Sequence, residues 1–454
     1  MQVDSLILAK DFAKFSGKVV SINGWIKTNR DQKEFGFIAL NDGLRLENIQ
    51  IIYETSLNNF SETTKLNTGA SISVTGVLVL TPERAQSFEI KATEIKIIKN
   101  TEPDYPIQPK RHTREFLREH LELRPRTNLF NAVFRVRSVL AHSIHTFFQD
   151  KGFTYLNSPI ITSNDGEGAG EMFTVSTLKA GQTDFKKDFF EKKANLTVTG
   201  QLHAEAFAQA FQRVYTFGPT FRAEKSNTPK HAAEFWMVEP EVAFFDLAAD
   251  MALAEEMVKY LVNDAFLKLR PELELFDKFV EPGLIARLTE VKDKPFARVT
   301  HEEAIKILKS AKVKFENEPK QGQDIFTEHE KYLTDVYFKS PVFIYNWPKE
   351  IKAFYMKQNP DNKTVAACDL LVAKSGELIG GSQREDDYNK LHTRMQELKM
   401  DIEPLKWYLD LRRHGGTQSA GFGLGFERLV MFITGIENIR DAIPFPRTSK
   451  NLNY

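Results

Sequence analysis

Two arginines that are far apart in the chain have neighbours suited to a nucleotide polyphosphate. Arg222 ends the strand-like run Val214–Phe221, and Arg428 follows glycine-spaced residues in the segment GFGLGFERLV. Each guanidinium can donate two parallel hydrogen bonds to a phosphate, so two of them could clamp the phosphoryl chain of ATP. The sequence has no GxxxxGK[ST] loop and no GxGxxG turn opening a βαβ unit, which excludes the nucleotide sites that those motifs build.

The polar segment after the first of these arginines adds further groups for a nucleotide. The run FWMVEPEVAFF predicts the return strand of an antiparallel pair, with a long loop before it. Glu224, Lys230 and His231 fall on this loop, and Phe235 offers a flat ring to a purine. Taken alone, such a segment is more often an ordinary hairpin with a solvated charged loop.

A second predicted hairpin, DLLVAKSGELIGGSQRE, carries two carboxylates on successive strands. Asp369 and Glu377 would repel each other unless they shared a cation, and Mg²⁺ bridging the ATP phosphates is the natural partner. Ser382 could add another oxygen ligand. Arg384 follows a Gly-Gly pair that lets the backbone pack close to a substrate.

The N-terminal part of the chain predicts a β-barrel. Residues 17–100 contain about five short alternating runs and no long helical pattern, which is typical of an OB-fold that binds single-stranded nucleic acid. Phe35 and Phe37 are two positions apart, so both rings should point to one face, with Arg30 and Gln50 nearby. The alternative is that these phenylalanines lie in the barrel core.

Composition limits the kinds of partner and compartment. Lys+Arg and Asp+Glu each number 61, so a nucleic acid must be bound by local patches rather than by an overall basic field. The single cysteine, Cys368, excludes an internal disulfide and a multi-cysteine zinc site. No signal-peptide pattern or long apolar run is present, so we expect a cytoplasmic protein without a membrane partner.

The chain of 454 residues is long enough for more than one domain. The pattern predicts a barrel domain over residues 1–100, a proline-rich hinge over 101–129 and a second domain over 130–454. Helical periodicity between about 247 and 333 indicates an inserted helical subdomain of unassigned role. The basic residues of the hinge could face a phosphate backbone, although a solvated hinge explains them equally well.

Three segments resemble, in order, motifs 1, 2 and 3 of the class II aminoacyl-tRNA synthetases, within the aspartyl, asparaginyl and lysyl subgroup. They are Phe130–Phe148 with the following GFTYLNSPIIT, then TFRAEKSNTPKHAAEFWMVEPEVAF, then GFGLGFERLV. The resemblance covers nearly the whole chain. It implies an α+β fold with an antiparallel sheet flanked by helices, an OB-fold domain that grips the anticodon, and a homodimer formed through motif 1.

The resemblance also implies residue roles, with ATP as substrate and Mg²⁺ as cofactor. It implies Arg222 and Arg428 as catalytic residues; Arg222, Glu224, His231, Phe235, Glu377 and Arg428 at ATP; Glu167, Gln201, Glu224 and Arg384 at the amino acid; Asp369, Glu377 and Ser382 at the metal; and Arg30, Phe37, Gln50 and Glu89 at the anticodon.

The choice of amino acid depends on the charge of the pocket. Aspartate members of the subgroup carry a lysine shortly after the glutamine of a QSPQLxK-type segment, where this chain has Ala204. Glu224 keeps a carboxylate that could accept a hydrogen bond from an amide, although its family position could instead contact ATP. Loss of a buried ion-pair partner is worth roughly 3 to 5 kcal/mol, which favours asparagine.

We therefore expect the chain to activate L-asparagine and to transfer it to tRNA(Asn). Three alternatives stay open at this point. They are an aspartyl-tRNA synthetase, including a non-discriminating one; a tRNA-independent asparagine synthetase, which should lack the anticodon domain; and a nucleic-acid-binding module, which would leave the paired arginines and acids unexplained.

Overall fold

The structure is a computed structural model that describes residues 1–84, 86–167, 171–226 and 228–454. Gly168, Ala169 and Gly170, from the glycine-rich segment SNDGEGAGEMF, therefore lie outside the described residues. The chain forms two units, Met1–Ala132 and Val133–Tyr454. None of the helices described has the length and apolar character needed to cross a bilayer.

The strands of the first unit close a barrel in the order β1-β2-β3-β5-β4. Alternate positions of the strands, such as Ile38 and Ile51, point inward and are fully buried. A Cβ atom on Gly36 would lie 2.2 Å from the ring of Tyr53, so the glycine leaves room for that buried ring. The predicted OB-fold is confirmed. Its strands are β1 (Val19–Asp31), β2 (Phe35–Asn41), β3 (Ile49–Glu54), β4 (Ser71–Leu80) and β5 (Phe88–Lys99), with helices α1 (Ser5–Asp11), α2 (Phe60–Thr63) and α3 (Arg114–Arg118).

Helix α4 (Asn128–Asp150) leads into the second unit, whose main sheet runs in the order β12-β13-β14-β15-β16-β11-β10-β6. Its pairs are antiparallel except at β12-β13 and at β10-β6, which are parallel. The predicted antiparallel sheet is thus confirmed. The strands are β6 (Thr154–Tyr155), β10 (Arg213–Phe221), β11 (Glu234–Ala243), β12 (Ala297–Thr300), β13 (Val342–Pro348), β14 (Thr364–Val372), β15 (Gly376–Gln383) and β16 (Ser419–Gly425), while β7 (Ile161–Thr162), β8 (Thr174–Val175) and β9 (Ala194–Leu196) form a small separate sheet.

Helices pack on the main sheet, as expected for an α+β fold. Helix α5 (Gln201–Phe211) contacts β10 and β11, and helix α6 (Leu247–Lys268) contacts β14, β15 and β16. Asp246 caps α6 by accepting a hydrogen bond from the amide of Ala249 at 2.8 Å. The remaining helices are α7 (Arg270–Phe279), α8 (Leu284–Asp293), α9 (His301–Lys309), α10 (Thr327–Lys331), α11 (Tyr388–Glu397), α12 (Lys406–Asp410) and α13 (Phe426–Thr434).

The strand register brings distant segments together over the main sheet. Thr220 pairs with Phe235 across β10 and β11, so the intervening loop begins at Arg222, whose amide donates to the carbonyl of Ala233 at 3.0 Å. Gly380 in turn pairs with Asp369 on one side and with Gly423 on the other. Residues near 222, 380 and 425 therefore meet over the same face of the sheet.

Candidate active site

Two adjoining cavities form a groove over this face. Both are lined by Arg222, Met237, Glu377 and Gly423. The first cavity has a volume of about 140 Å³ and is also lined by Glu224, Lys230, His231, Phe235 and Arg428. The second has a volume of about 530 Å³ and is also lined by Glu167, Gln201, Glu241, Lys352, Tyr355, Asp369 and Arg384. The structure thus brings both predicted arginines and both predicted acids to one groove.

Arg222 lies at the junction of the two cavities. Its Nη2 donates to Oε1 of Glu167 at 2.7 Å, and its guanidinium lies 5.4 Å from the ring centroid of Phe235. Burial raises the pKa of Glu167, and the positive charge of Arg222 opposes that rise. The buried Nε of Arg222 has no hydrogen-bond partner within the described residues, so it remains a donor for a ligand.

Two neighbouring charges at the start of α13 have different roles. Arg428 faces the first cavity, where its Nη1 donates to the backbone oxygen of Glu377 at 2.7 Å. The carboxylate of Glu427 is buried, pairs with Arg137 at 2.8 Å and accepts the amide of Trp236 at 3.0 Å. Glu427 therefore holds α13 against β11, which fixes the direction of Arg428.

The loop between β10 and β11 carries the remaining candidates for a nucleotide. Burial, followed by the charge of Arg428, lowers the pKa of His231, so this ring is neutral near pH 7. Glu224 is exposed and lines the first cavity. Among described residues it does not line the second cavity, so the geometry favours the nucleotide over the amino acid as its partner.

The two predicted metal ligands converge over a glycine. A Cβ atom on Gly380 would lie 3.2 Å from Oε1 of Glu377 and 3.6 Å from Oδ1 of Asp369. Lys352 donates to Oδ2 of Asp369 at 2.6 Å and opposes the effect of burial, which raises the pKa of that carboxyl to about 6. Carboxylate oxygens are the donors that a hard divalent cation prefers.

Ser382, the third predicted metal ligand, has a different contact. Its side chain is fully buried, and its hydroxyl oxygen accepts a hydrogen bond from Nη1 of Arg384 at 2.7 Å. In the residues that the structure describes, no group of three His, Cys, Asp or Glu side chains could hold a metal ion. The two carboxylates alone therefore form the acidic part of the candidate metal site.

A buried ion pair lies at the base of the second cavity. The guanidinium of Arg384 donates to both carboxylate oxygens of Glu241, and one of these bonds, from Nε to Oε2, is 3.1 Å long. Burial raises the pKa of Glu241, and the charge of Arg384 opposes that rise. The pair is thus held rigidly, since both side chains are buried and each satisfies the other.

Gln201 lies beside this pair at the first turn of α5. Its Nε2 donates to Oε1 of Glu205 at 3.1 Å, and Glu205 also accepts hydrogen bonds from the hydroxyl of Tyr408 and from Arg412. This network, behind the cavity wall, fixes the orientation of the glutamine amide.

Comparison with known proteins identifies the family. Residues 113–449 match the family described as tRNA synthetases class II (D, K and N), and residues 20–98 match the OB-fold nucleic acid binding domain. The chain belongs to the class II tRNA synthetases.

Relatives within this family match both units of the chain. The chain is 58% identical over 454 residues to asparagine–tRNA ligase of Acholeplasma laidlawii and 55% identical over 456 residues to that of Acetivibrio thermocellus, with 98% of each chain covered. It is also similar to a crystal structure of asparaginyl-tRNA synthetase from Pyrococcus horikoshii complexed with asparaginyl-adenylate, at 33% identity, 97% coverage of each chain and a TM-score of 0.87.

The OB-fold of this class II synthetase presents the predicted aromatic face on its outside. Arg30 pairs with Phe37 across β1 and β2, and Gln50 pairs with Ala39 across β2 and β3. Phe35 and Phe37 contact each other edge to face with ring centroids 5.4 Å apart. Neither ring lies in the barrel core, since that core is formed by the alternate positions of the same strands.

Glu89, the weakest candidate on the barrel, is buried and already has an ion-pair partner. Its Oε2 accepts a hydrogen bond from Nη1 of Arg84 at 2.8 Å. A contact between the Glu89 carboxylate and an anticodon would therefore compete with its ion pair to Arg84.

Sequence reasoning missed several residues of the synthetase groove. Glu239 and Glu241 lie two positions apart in the apolar run WMVEPEVAF. Acids in a buried strand need specific hydrogen-bond or ion-pair partners. Glu239 indeed accepts the amide of Gly200 at 2.8 Å and a hydrogen bond from Thr216 at 3.1 Å. Lys352 gave no comparable signal, because it lies in an irregular segment between β13 and β14.

Proposed function

We propose that the chain is an asparagine–tRNA ligase, which activates L-asparagine with ATP and transfers it to the 3′ end of tRNA(Asn). The high identity to ligases of that name over nearly the full length supports the reaction. The charge of the second cavity is the structural observation that carries the choice of amino acid.

Carboxylates outnumber cations among the described residues that line this cavity. The acids are Glu167, Glu239, Glu241, Glu350, Asp369 and Glu377, and the cations are Arg222, Lys352 and Arg384. Because Glu241 already neutralises Arg384, little positive charge remains for a second substrate carboxylate. The neutral amide of asparagine is therefore accepted at lower cost than the charged side chain of aspartate.

The proposed roles at the amino acid follow from these positions. Glu167 would bind the α-ammonium group, for which a carboxylate is required. Arg384 would donate to the side-chain oxygen of asparagine while Glu241 keeps that guanidinium in place. Gln201 would contact the head group. Glu224, which lines the first cavity, would contact ATP, with the amide of asparagine as its alternative partner.

In the proposed first step the asparagine carboxylate attacks the α-phosphate of ATP and displaces pyrophosphate. Arg222, at the junction of the cavities, would stabilise the charge on the α-phosphate, and Arg428 and His231 would hold the β and γ groups. Adenine would lie between Phe235 and the guanidinium of Arg428. A hydroxyl of the terminal ribose of the tRNA then attacks the adenylate carbonyl and AMP leaves, so neither step requires a nucleophile from the enzyme.

Asp369 and Glu377 would hold Mg²⁺, which would neutralise charge on the phosphates. Ser382 stays a proposed third ligand, because a hydroxyl oxygen that accepts one hydrogen bond retains another lone pair.

The other proposed features concern the whole protein. We infer that residues 1–100 bind the anticodon through Arg30, Phe37, Gln50 and Glu89, that 101–129 form the hinge, and that 130–454 form the catalytic domain with an insertion at about 247–333. Exposed apolar residues after α4, namely Tyr155, Ile160 and Ile161, support a homodimer formed through motif 1. The proposed reaction belongs in the cytoplasm, where ribosomes use aminoacyl-tRNA.

ATP–pyrophosphate exchange with the purified protein tests the proposal. We expect exchange with asparagine, and a kcat/KM for aspartate lower by at least about 100-fold. Equal exchange with both amino acids, or exchange with aspartate alone, would refute the assignment of asparagine.

A further inference from the structure

We propose that Glu330 is a positioning residue for ATP, which holds the ammonium group of Lys230 at the edge of the first cavity. This inference rests on the proposed function and gives the inserted segment a part in the reaction. Glu330 lies on α10, in the segment before β13, whereas Lys230 lies on the loop between β10 and β11.

The two charged groups approach the same point at the turn between β14 and β15, without the short contact of a direct ion pair. At Gly376, the first residue of β15, a Cβ atom would lie 2.5 Å from Oε2 of Glu330 and 2.8 Å from Nζ of Lys230. Gly376 also has a φ of +73°, which disfavours any side chain there. The glycine therefore allows opposite charges from two separate elements to approach the same point, directly beside Glu377.

The backbone on both sides of Lys230 is fixed. The carbonyl of Pro229 accepts the amide of Ile439 at 2.8 Å, and the amide of Ala233 donates to the carbonyl of Arg447 at 2.7 Å. With these anchors in place, the position of the ammonium depends on the rotatable side chain of Lys230, on which a counter-charge acts.

Electrostatics support the pairing. Burial raises the pKa of Glu330 to about 7, and among the charges that act on this carboxyl Lys230 is the strongest opposing one. Arg428 acts in the same direction as Lys230, whereas Glu377 and Asp369 raise the pKa further. Burial lowers the pKa of Lys230, and Glu330 is the main group that counteracts it. Each group thus stabilises the charged form of the other.

The position of the pair gives it a role beyond attaching α10. Lys230 lines the first cavity together with Arg428 and Glu377, where the polyphosphate of ATP is proposed to bind. A lysine that is already held at this edge offers its positive charge to the phosphates. Its side chain then loses little conformational freedom when ATP binds. Without Glu330, its ammonium loses its counter-charge and can turn to solvent.

The variant Glu330→Gln tests the inference in ATP–pyrophosphate exchange with asparagine. We expect KM for ATP to rise about 10-fold while kcat and KM for asparagine change little, because the lost interaction concerns binding of the phosphates. Lys331→Gln, an exposed change on the same helix, is the matched control and should leave all constants unaltered.

A double-mutant cycle with Lys230→Met separates positioning from a structural role. If Glu330 acts through Lys230, the double variant should be no worse than Lys230→Met alone. Additive effects on KM for ATP, or an unchanged KM in Glu330→Gln, would overturn the inference. If Glu330→Gln does not fold, as judged by Tm, Glu330→Asp replaces it in the double-mutant cycle with Lys230→Met. Additive effects on KM for ATP, or an unchanged KM for ATP in Glu330→Asp, would again overturn the inference. Absence of exchange in the unaltered protein would instead refute the proposed function.

Discussion

At the scale of residues, the ion pair between Glu241 and Arg384 is proposed to set the charge that the side chain of the substrate meets. We predict that Glu241→Gln lowers the preference for asparagine over aspartate by roughly 10- to 100-fold, because it frees a buried guanidinium to bind a carboxylate. The ratio of kcat/KM for the two amino acids in pyrophosphate exchange measures this change. Glu234→Gln, at the exposed start of the same strand, is the control.

The opposite outcome would have a clear meaning. If Glu241→Gln loses activity with both amino acids equally, Glu241 only supports the fold of the cavity. In that case the discrimination must come from other carboxylates that line the same cavity, such as Glu167 and Glu239.

A second prediction concerns a buried acid below the sheet. Neither carboxylate oxygen of Asp250 has a hydrogen-bond partner in the described part of the chain, and burial raises its pKa from 3.8 to about 7. The folded protein therefore retains a proton that the unfolded chain releases above pH 3.8. The resulting stabilisation is complete below that pH and is lost as the pH rises through about 7.

Asp250→Asn should remove this pH dependence. We expect the difference in Tm, variant minus unaltered protein, to be larger at pH 8 than at pH 5. The reason is that the unaltered protein loses a few kcal/mol of stability over this range and the variant does not. Thermal denaturation at both pH values measures it, with the exposed Glu256→Gln on the same helix as control. A constant difference in Tm would show that Asp250 is ionised in the folded protein at both pH values.

At the scale of elements, local patterns predicted the hairpins and the barrel well. The alternating runs of the N-terminal part became β1 to β5, and the strands around Arg222 pair as expected, because period-two burial and turn residues are local properties. The segment GFTYLNSPIIT is different, since only Thr154–Tyr155 and Ile161–Thr162 are strands. Pro159 lies between them and has no amide hydrogen to donate.

The parts of the site that could not be predicted depend on contacts between distant elements. Arg222 and Arg428 belong to motifs 2 and 3, and Glu377 belongs to a predicted hairpin, so their local sequence is informative. The proximity of Lys352 to Asp369 and of Glu330 to Lys230 instead depends on how separate segments pack, which no local pattern encodes.

The outer face of the barrel leads to a prediction at this scale. Phe37→Ala should raise KM for tRNA by about 5- to 100-fold, the range expected for loss of one stacked base, and should leave tRNA-independent exchange unchanged. The barrel should stay folded because Phe37 lies outside its core. Aminoacylation at varied tRNA concentration measures the effect, and Val19→Ala, exposed at the start of β1, is the control. An unchanged KM for tRNA would remove Phe37 from the anticodon contact.

At the scale of the whole molecule, the groove and the aromatic face belong to different units of the chain. Every described residue that lines the two cavities lies within Val133–Tyr454, whereas Arg30, Phe37 and Gln50 lie within Met1–Ala132. Adenylate formation should therefore depend on the second unit, and recognition of the anticodon on the first. The two activities can be perturbed separately in the full chain.

The charge distribution leads to a last prediction about salt. The formal net charge is zero, so the proposed tRNA partner would be bound by local basic groups that displace counterions from its phosphates. Between about 50 and 200 mM KCl, we expect KM for tRNA to rise by at least about 10-fold, since several phosphate contacts are lost together. Exchange with asparagine and ATP, measured in the same buffers, should change far less, because its contacts lie in a partly buried groove that salt screens weakly. If salt weakened aminoacylation and pyrophosphate exchange by the same factor, it would be acting on the catalytic groove. Binding of tRNA through exposed basic patches would then no longer explain the result.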